Sequence, residues 1–409
     1  MDEAKIKALT KNIKPVDFSK VDGKTVLLRV DLNSSVKDGK LLKGPKIVAH
    51  FRTVKKFLDN GAKVVIITHQ GRKGRDDFID LKQHCNAMQE MLGEPIAFCS
   101  WNQDYISEIK KLKKGQALML DNTRFLEFET KEVSAEEHSK NPVIKGLASV
   151  SDMYVLDALS IAHRPHATVV GFVPLLKSFA GPVLYSELKT LEKISSIKGK
   201  TVLVLGGMKP DDSLFIAESM LTSNSAEKVL AGGVIGELAL LAKGKKLGAK
   251  EIFLKEKGLL EFVPKMKELI DKFSEKIICP IDLAIEKNTL REEITLAKLP
   301  VKEPILDIGE MTANTYASEI RKASVTILNG PLGKFECDGF SFGTRKVLDA
   351  MTESKGFALI GGGDTVTAMI KLGFKESEFG HVSLAGKALL EFLAGEKLAG
   401  LETLANAGK

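Results

Sequence analysis

The chain has 409 residues, 44% hydrophobic and 28% charged, with 60 Lys and Arg against 53 Asp and Glu for a formal net charge of +7. That length exceeds one ordinary core, so two domains are expected, and the mixture excludes a disordered or fibrous protein. No stretch approaches the ~18 apolar residues of a membrane span, and residues 1–20 are polar and Lys-rich, so a cytoplasmic location with no membrane partner is expected.

In chain order, the first apolar run covers residues 25–30 and ends in Arg29, Asp31, Leu32 and Asn33. A helical period follows at Ile47, Phe51, Val54 and Leu58 and stops at Asn60-Gly61, as a C-cap would. Residues 62–67 form the second run and lead into Thr68, His69, Gln70, Gly71 and Arg72. The third, 116–120, leads into Asp121, Asn122, Thr123 and Arg124; the fourth, 153–156, leads towards His163 and Arg164. A domain boundary is expected near Gly181-Pro182, before a helical segment at 187–193.

In the second half the runs end in glycine instead. Residues 201–205 lead into Gly206, Gly207, Met208 and Lys209, and 228–231 into Gly232 and Gly233. Residues 325–328 lead into Asn329, Gly330, Pro331, Leu332, Gly333 and Lys334, and 357–360 into Gly361, Gly362, Gly363, Asp364 and Thr365. Continuous apolar strands between helices predict parallel sheets covered on both faces, hence an α/β chain of two doubly wound domains.

Ligands of such sheets bind outside the carboxyl ends of the strands. Basic strand ends suit a small molecule carrying phosphate and carboxylate, because the guanidinium fork matches both. Glycine at strand ends lets backbone N–H groups approach an anion closely, which predicts a nucleotide. Cys85, Cys99, Cys279 and Cys337 contain no Cys-x-x-Cys pair, so free thiols are expected. Trp101 is the single tryptophan and no basic-aromatic module occurs, so no nucleic-acid partner is expected.

Taken in order, the segments at 29–33, 68–72, 162–164, 206–209, 329–336 and 361–365 resemble the phosphoglycerate kinase family, over about residues 21–401. Gln70 after His69, the segment 291–294 and Ser213 look most like its archaeal branch. The resemblance implies two Rossmann-like domains joined by a hinge helix: 1–181 for phosphoglycerate, 182–390 for nucleotide, and 391–409 returning to the first. It implies reversible transfer between 1,3-bisphosphoglycerate and MgADP, giving 3-phosphoglycerate and MgATP, by a monomer whose cleft closes. Asp31, Leu32, Asn33, Lys46, His69, Gln70, Gly71, Arg72, Arg124, His163 and Arg164 would then hold the phosphoglycerate. Gly206, Gly207, Lys209, Gly232, Gly233, Asn329, Pro331, Glu336, Gly362, Gly363, Asp364 and Thr365 would hold ATP or ADP, with Glu336 on the ribose and Asp364 on Mg2+. Lys46, Lys209 and Arg164 would face the transferring phosphoryl group. Such chemistry needs positioning and charge neutralisation, with no nucleophilic triad.

Three positions depart from the family pattern. Lys46 stands where an arginine is usual; it keeps the charge and loses the bidentate fork. Arg52, about 240° further round the helix, is no substitute. Loss of such a contact costs on the order of 2.7–4 kcal/mol when complete, so reduced turnover is expected. Residues 383–387 retain only Gly386 of the usual glycines, and Lys387 either supplies charge there or points to solvent. Ser213 lacks the second lysine of many members. These departures leave open a weakened paralogue that binds nucleotide or phosphoglycerate as a sensor, and a kinase of another small carboxylic acid.

Overall fold

The structure, a computed structural model, describes residues 3–407. The chain forms two compact units: one runs up to Glu192 and resumes at Lys397, and the other is Lys193–Glu396. The helix Pro182–Ser196 carries the chain from the first into the second.

In the discontinuous unit, β1 (Thr25–Arg29), β2 (Lys63–Ile67), β3 (Ile96–Cys99), β4 (Ala117–Leu120), β5 (Met153–Leu156) and β6 (Ser178–Ala180) form a sheet in the order β3-β4-β2-β1-β5-β6. Every pairing is parallel. Val26, Leu28, Val64 and Ile66 pack with Ile47, Val54 and Phe57 of the helix Pro45–Asp59, all fully buried. Each such side chain contributes ~1.5–3 kcal/mol on leaving water. β3 and β6, short and unflanked by glycine motifs, were not expected from the sequence.

The helix Pro45–Asp59 ends at Asn60, as expected, but its inner face is rotated from the predicted stripe. His50 and Thr53 are buried, whereas Phe51 and Leu58 are only partly so. The cause is Asp157, fully buried just beyond β5. Its Oδ2 accepts from Thr53 Oγ1 at 2.7 Å and lies 3.3 Å from His50 Nδ1. Its Oδ1 accepts from Val183 N at 2.7 Å and Leu184 N at 3.2 Å, satisfying the first turn of the connecting helix. Gly181 makes room: a Cβ there would lie 2.3 Å from Asp157 Oδ1.

The continuous unit contains β7 (Thr201–Leu205), β8 (Lys228–Ala231) and β9 (Ile277–Ile278), then β10 (Asp282–Lys287), β11 (Leu290–Thr295) and β12 (Ile305–Ile308). β13 (Val325–Asn329), β14 (Phe357–Gly361) and β15 (His381–Val382) complete it. The main sheet runs β9-β8-β7-β13-β14-β15 and is again parallel. β11-β10-β12 form a separate antiparallel sheet beside it, a small addition to the expected parallel architecture. Its hairpin turns at Asn288 (φ 53°) and Thr289 (φ 65°), a left-handed pair that the strand twist favours but whose sequence lacks the usual glycine.

Within each unit the parallel strands deliver their carboxyl ends to one edge, where the functional residues lie. Replacing Asp157 with alanine strands at least three buried donors, each costing ~1–3 kcal/mol. Urea denaturation of Asp157→Ala should show a loss of at least about 3 kcal/mol; a loss below about 0.5 kcal/mol would mean the network is dispensable.

Candidate active site

Arg29 closes β1 with its side chain fully buried. Its Nε donates to Thr168 Oγ1 at 3.0 Å and its Nη1 to Val30 O at 2.6 Å, while Nη2 lies 3.3 Å from His69 Nδ1. Glu129, also buried, sits 3.9 Å from Nη2 and is held by Thr168 through N and Oγ1 at 2.9 and 2.6 Å. Burial pulls the His69 imidazole well below its usual pKa despite nearby Asp31, and Arg29 and Arg124 add to the effect, so it is neutral.

Asp31 is buried one step beyond, with Lys46 Nζ 2.5 Å from its Oδ2 and the Ser160 hydroxyl donating to the same oxygen. Burial opposes its ionisation, but the Lys46 ammonium and these hydrogen bonds hold its pKa far below the usual carboxylate range. Asn33 Oδ1 accepts from Gly71 N at 2.9 Å and ties two strand-end loops together. Leu32 and Gln70 present no side-chain surface to a ligand, both being fully buried. The Gln70 amide is spent on the loops: Oε1 accepts from Ser34 N at 2.9 Å and faces His84 Nε2 at 3.0 Å, and Nε2 donates to Ser34 O at 2.9 Å.

Arg72, Arg124 and Arg164 line one cavity of about 590 Å³. Burial and the positive charges of Arg29, Arg164 and Arg72 push Arg124 down to about 10. Guanidinium groups that repel one another at a strand-end rim give it a strongly positive potential. Arg164 Nε lies 3.0 Å from His163 Nε2, which orients the pair.

In the continuous unit, the loops after β7 and β13 interlock. Gly207 N donates to Pro331 O at 2.8 Å, and a Cβ on Gly330 would come within 2.3 Å of Gly206. Thr365, fully buried, accepts from Gly330 N at 2.7 Å through its hydroxyl, so it braces this loop. Gly363 opens the helix Gly363–Lys371 with nothing within 4 Å of a Cβ position, which leaves space before a positive helix end.

A cavity of about 750 Å³ lies beside them, with Gly207, Gly233, Pro331, Glu336 and Asp364 in its walls. Gly206, Gly232, Asn329 and Gly362 are not in its walls, and Lys209 is exposed just before the helix Pro210–Thr222. Sequence reasoning missed further lining residues, among them Val234, Glu237, Lys250, Phe253, Ile305 and Leu306. Lys387 resolves as neither alternative: its Nζ pairs with Asp212 at 3.0 Å and Glu391 at 3.6 Å, offsetting a cation at a helix start. The four cysteines are free thiols, three of them buried. Among the described residues no helix is long and apolar enough to cross a membrane, and no group of three or more His, Cys, Asp and Glu could hold a metal ion.

The family model for phosphoglycerate kinase matches residues 16–396. The chain belongs to the phosphoglycerate kinase family. Over 397 residues it is 36% identical to a phosphoglycerate kinase of Methanothermobacter thermautotrophicus, covering 96% of each chain. One from Pyrococcus abyssi is 38% identical over 389 residues, 93% of this chain and 94% of that one. The crystal structure of phosphoglycerate kinase from Pyrococcus horikoshii superposes with a TM-score of 0.91 at 35% identity, covering 97% and 99% of the two chains. The archaeal resemblance and the α/β class with parallel sheets are both borne out. The chain is thus a phosphotransferase with a carboxyl group as acceptor, and nothing in these likenesses favours the weakened paralogue.

Beneath the acceptor loops, burial pushes His84 down to about 4 from 6.5, opposed only by Asp80. Between pH 6.5 and 4 the unfolded chain takes up a proton that the folded one refuses, so stability falls as pH falls through that window. His84→Gln should recover up to about 3 kcal/mol of the loss between pH 7 and pH 4, read from denaturation midpoints. An unchanged loss would show that His84 does not titrate on unfolding.

Proposed function

We propose that the basic rim of the discontinuous unit binds 3-phosphoglycerate and 1,3-bisphosphoglycerate, and that the 750 Å³ cavity binds MgATP and MgADP. The observation that carries the reading is the cluster of Arg72, Arg124 and Arg164 lining one cavity, two of them depressing Arg124 through their charge. A tri-anionic acceptor relieves that repulsion, which turns an electrostatic cost of the empty site into binding affinity. Asp31, whose carboxylate is kept ionised, would accept the acceptor's hydroxyl, with Asn33 and His69 completing the polar wall. Leu32, Gln70 and Gly71 act by shaping the loops.

On the nucleotide side, the free space before Gly363 and the dipole of its helix suit the terminal phosphates. Asp364 at the same helix end would take the Mg2+ that travels with the nucleotide as part of the substrate. Glu336 would accept from the ribose hydroxyls. Lys209, exposed and without an ion-pair partner among the described residues, would neutralise the moving phosphoryl group. The acyl oxygen and the leaving oxygen must align with phosphorus for in-line transfer, so the reaction requires both ligands to meet with water excluded. Arg164 and Lys46 would add positive charge on the acceptor side.

Steady-state consumption of MgATP should depend on 3-phosphoglycerate and yield the acyl phosphate; substrate-independent turnover, or none, would overturn the assignment. Lys209→Ala should lower kcat by about 10²–10³ with a smaller change in KM, as for loss of one transition-state donor. Lys46→Arg restores the fork and should raise kcat by about tenfold, the worth of ~1.5 kcal/mol from one charge-assisted hydrogen bond. No gain would show that the Lys46–Asp31 pair, and not phosphoryl stabilisation, fixes the residue at this position.

A further inference from the structure

The segment 291–294, part of the archaeal resemblance, begins at Arg291 on β11, whose side chain is only 15% exposed. Its guanidinium spends its donors in four directions. Nε donates to Glu293 Oε1 at 2.7 Å, and Nη1 to Asp307 Oδ2 at 2.8 Å and to Gly339 O at 3.0 Å. Nη2 donates to Ile308 O at 2.8 Å, and the group lies 4.9 Å from the centre of the Phe342 ring. None of these residues is in the walls of the 750 Å³ cavity.

Asp307, on β12, has no exposed side-chain surface. Besides Arg291, its Oδ2 accepts from Gly343 N at 2.9 Å, and its Oδ1 accepts from Ile308 N at 2.9 Å. A Cβ on Gly333 would lie 2.3 Å from Oδ1, and one on Gly343 2.5 Å from the same oxygen. The carboxylate therefore abuts both ends of the segment 333–343, while Arg291 holds Gly339 O between them. Burial pushes the Asp307 carboxyl up to about 6, and the Gly343 amide and the Arg291 guanidinium resist that rise.

The segment held in this way brings Lys334, Phe335 and Glu336 into the cavity wall. Residues 330–341 belong to no helix or strand, so their shape depends largely on contacts from outside. Lys334 N donates to Leu306 O at 2.7 Å, again on β12. Lys371 adds a second anchor, donating to Phe335 O at 3.2 Å and Glu336 O at 3.0 Å.

Resting on the nucleotide reading above, we infer that Arg291 and Asp307 are positioning residues for nucleotide binding: they clamp the segment 333–343 and so fix Glu336 without touching the ligand. A shift of ~1 Å in a binding group can cost as much as ~10²-fold, so a clamp outside the cavity has leverage on affinity. Lysine is no equal substitute at position 291. It keeps a charge for Asp307, but a single ammonium on a flexible stem lacks the planar fork that reaches two carboxylates and two carbonyls together. The small antiparallel sheet thereby gains a role, since β11 and β12 supply both halves of the clamp.

The test measures kcat and both KM values for Arg291→Lys, Asp307→Asn and Glu336→Ala, with thermal midpoints to establish folding. Arg291→Lys should raise the nucleotide KM by about fivefold or more, with kcat and the 3-phosphoglycerate KM within about twofold of the parent. A merely structural loss would lower the active fraction, hence the apparent kcat, and leave both KM values alone. Combining Arg291→Lys with Glu336→Ala gives the second readout: a clamp acting through Glu336 adds less than about twofold to the KM of Glu336→Ala alone. Full additivity in the double variant overturns the proposal. So does an unchanged nucleotide KM in folded Arg291→Lys and Asp307→Asn while Glu336→Ala raises it, an outcome that leaves the nucleotide reading standing. If Glu336→Ala also leaves the nucleotide KM unmoved, the nucleotide reading fails and the clamp falls with it.

Discussion

A guanidinium that no water reaches has to be neutralised from within, and Arg29 organises its unit on that account. Taking a charge of this size out of water costs several kcal/mol even after relaxation, so a buried ion pair is poor evidence for stability in itself. Its return is electrostatic. Glu129, at 3.9 Å and itself braced by Thr168, offsets the charge without abolishing its field. That field helps keep His69 neutral and adds to the repulsion felt by Arg124. The buried Arg29 thus adds from behind to the positive charge that Arg72, Arg124 and Arg164 bring to the rim.

The two units meet anionic ligands by opposite means. One gathers side-chain charge around a carboxylate, Asp31, that is itself held ionised by Lys46 and Ser160. The other clears side chains away around interlocked glycine loops and leaves the start of the helix Gly363–Lys371 open. The first arrangement favours a small, highly charged acceptor, where fork geometry gives selectivity. The second leaves a larger cavity, of about 750 Å³, beside its glycine loops. Each follows from the same parallel architecture, which delivers loop residues to one edge of a rigid sheet.

Much of this was legible in the sequence because strand ends announce themselves: an apolar run followed by Arg, His or Gly is local information. The expectations at β1, β2, β4, β5, β7, β8, β13 and β14 rested on that signal alone. What escaped is non-local. His50 and Thr53 lie on a helix whose apolar period pointed elsewhere, and only the carboxylate of Asp157, over 100 residues away, explains why they face inward. Glu237 and Lys250 carry no local signal that folding would pair them in a largely buried contact. The hairpin at Asn288-Thr289 was missed for a local reason, since its turn lacks glycine. Gln70 was legible as a position and misleading as a role: its amide is consumed by Ser34 and His84 before a ligand could claim it.

The discontinuity of the first unit bears on the order in which a ribosome delivers it. The helix Ala399–Asn406 packs against the helix Glu3–Asn12, and Gly400 N donates to Ala162 O at 2.8 Å, next to His163 and Arg164. A side chain on Gly400 would crowd Val169 and Ala162 at 2.9–3.2 Å, so this docking is close. The discontinuous unit, though begun first, waits for residues beyond Lys397, while the continuous unit is complete in sequence by Glu396. Vectorial synthesis therefore inverts the usual N-to-C order of domain completion: the nascent chain has everything its continuous unit requires before it can finish the discontinuous one. A ribosome that stalls shortly before Ala399 would release a kinase half-equipped, with the later-starting unit the better formed of the two.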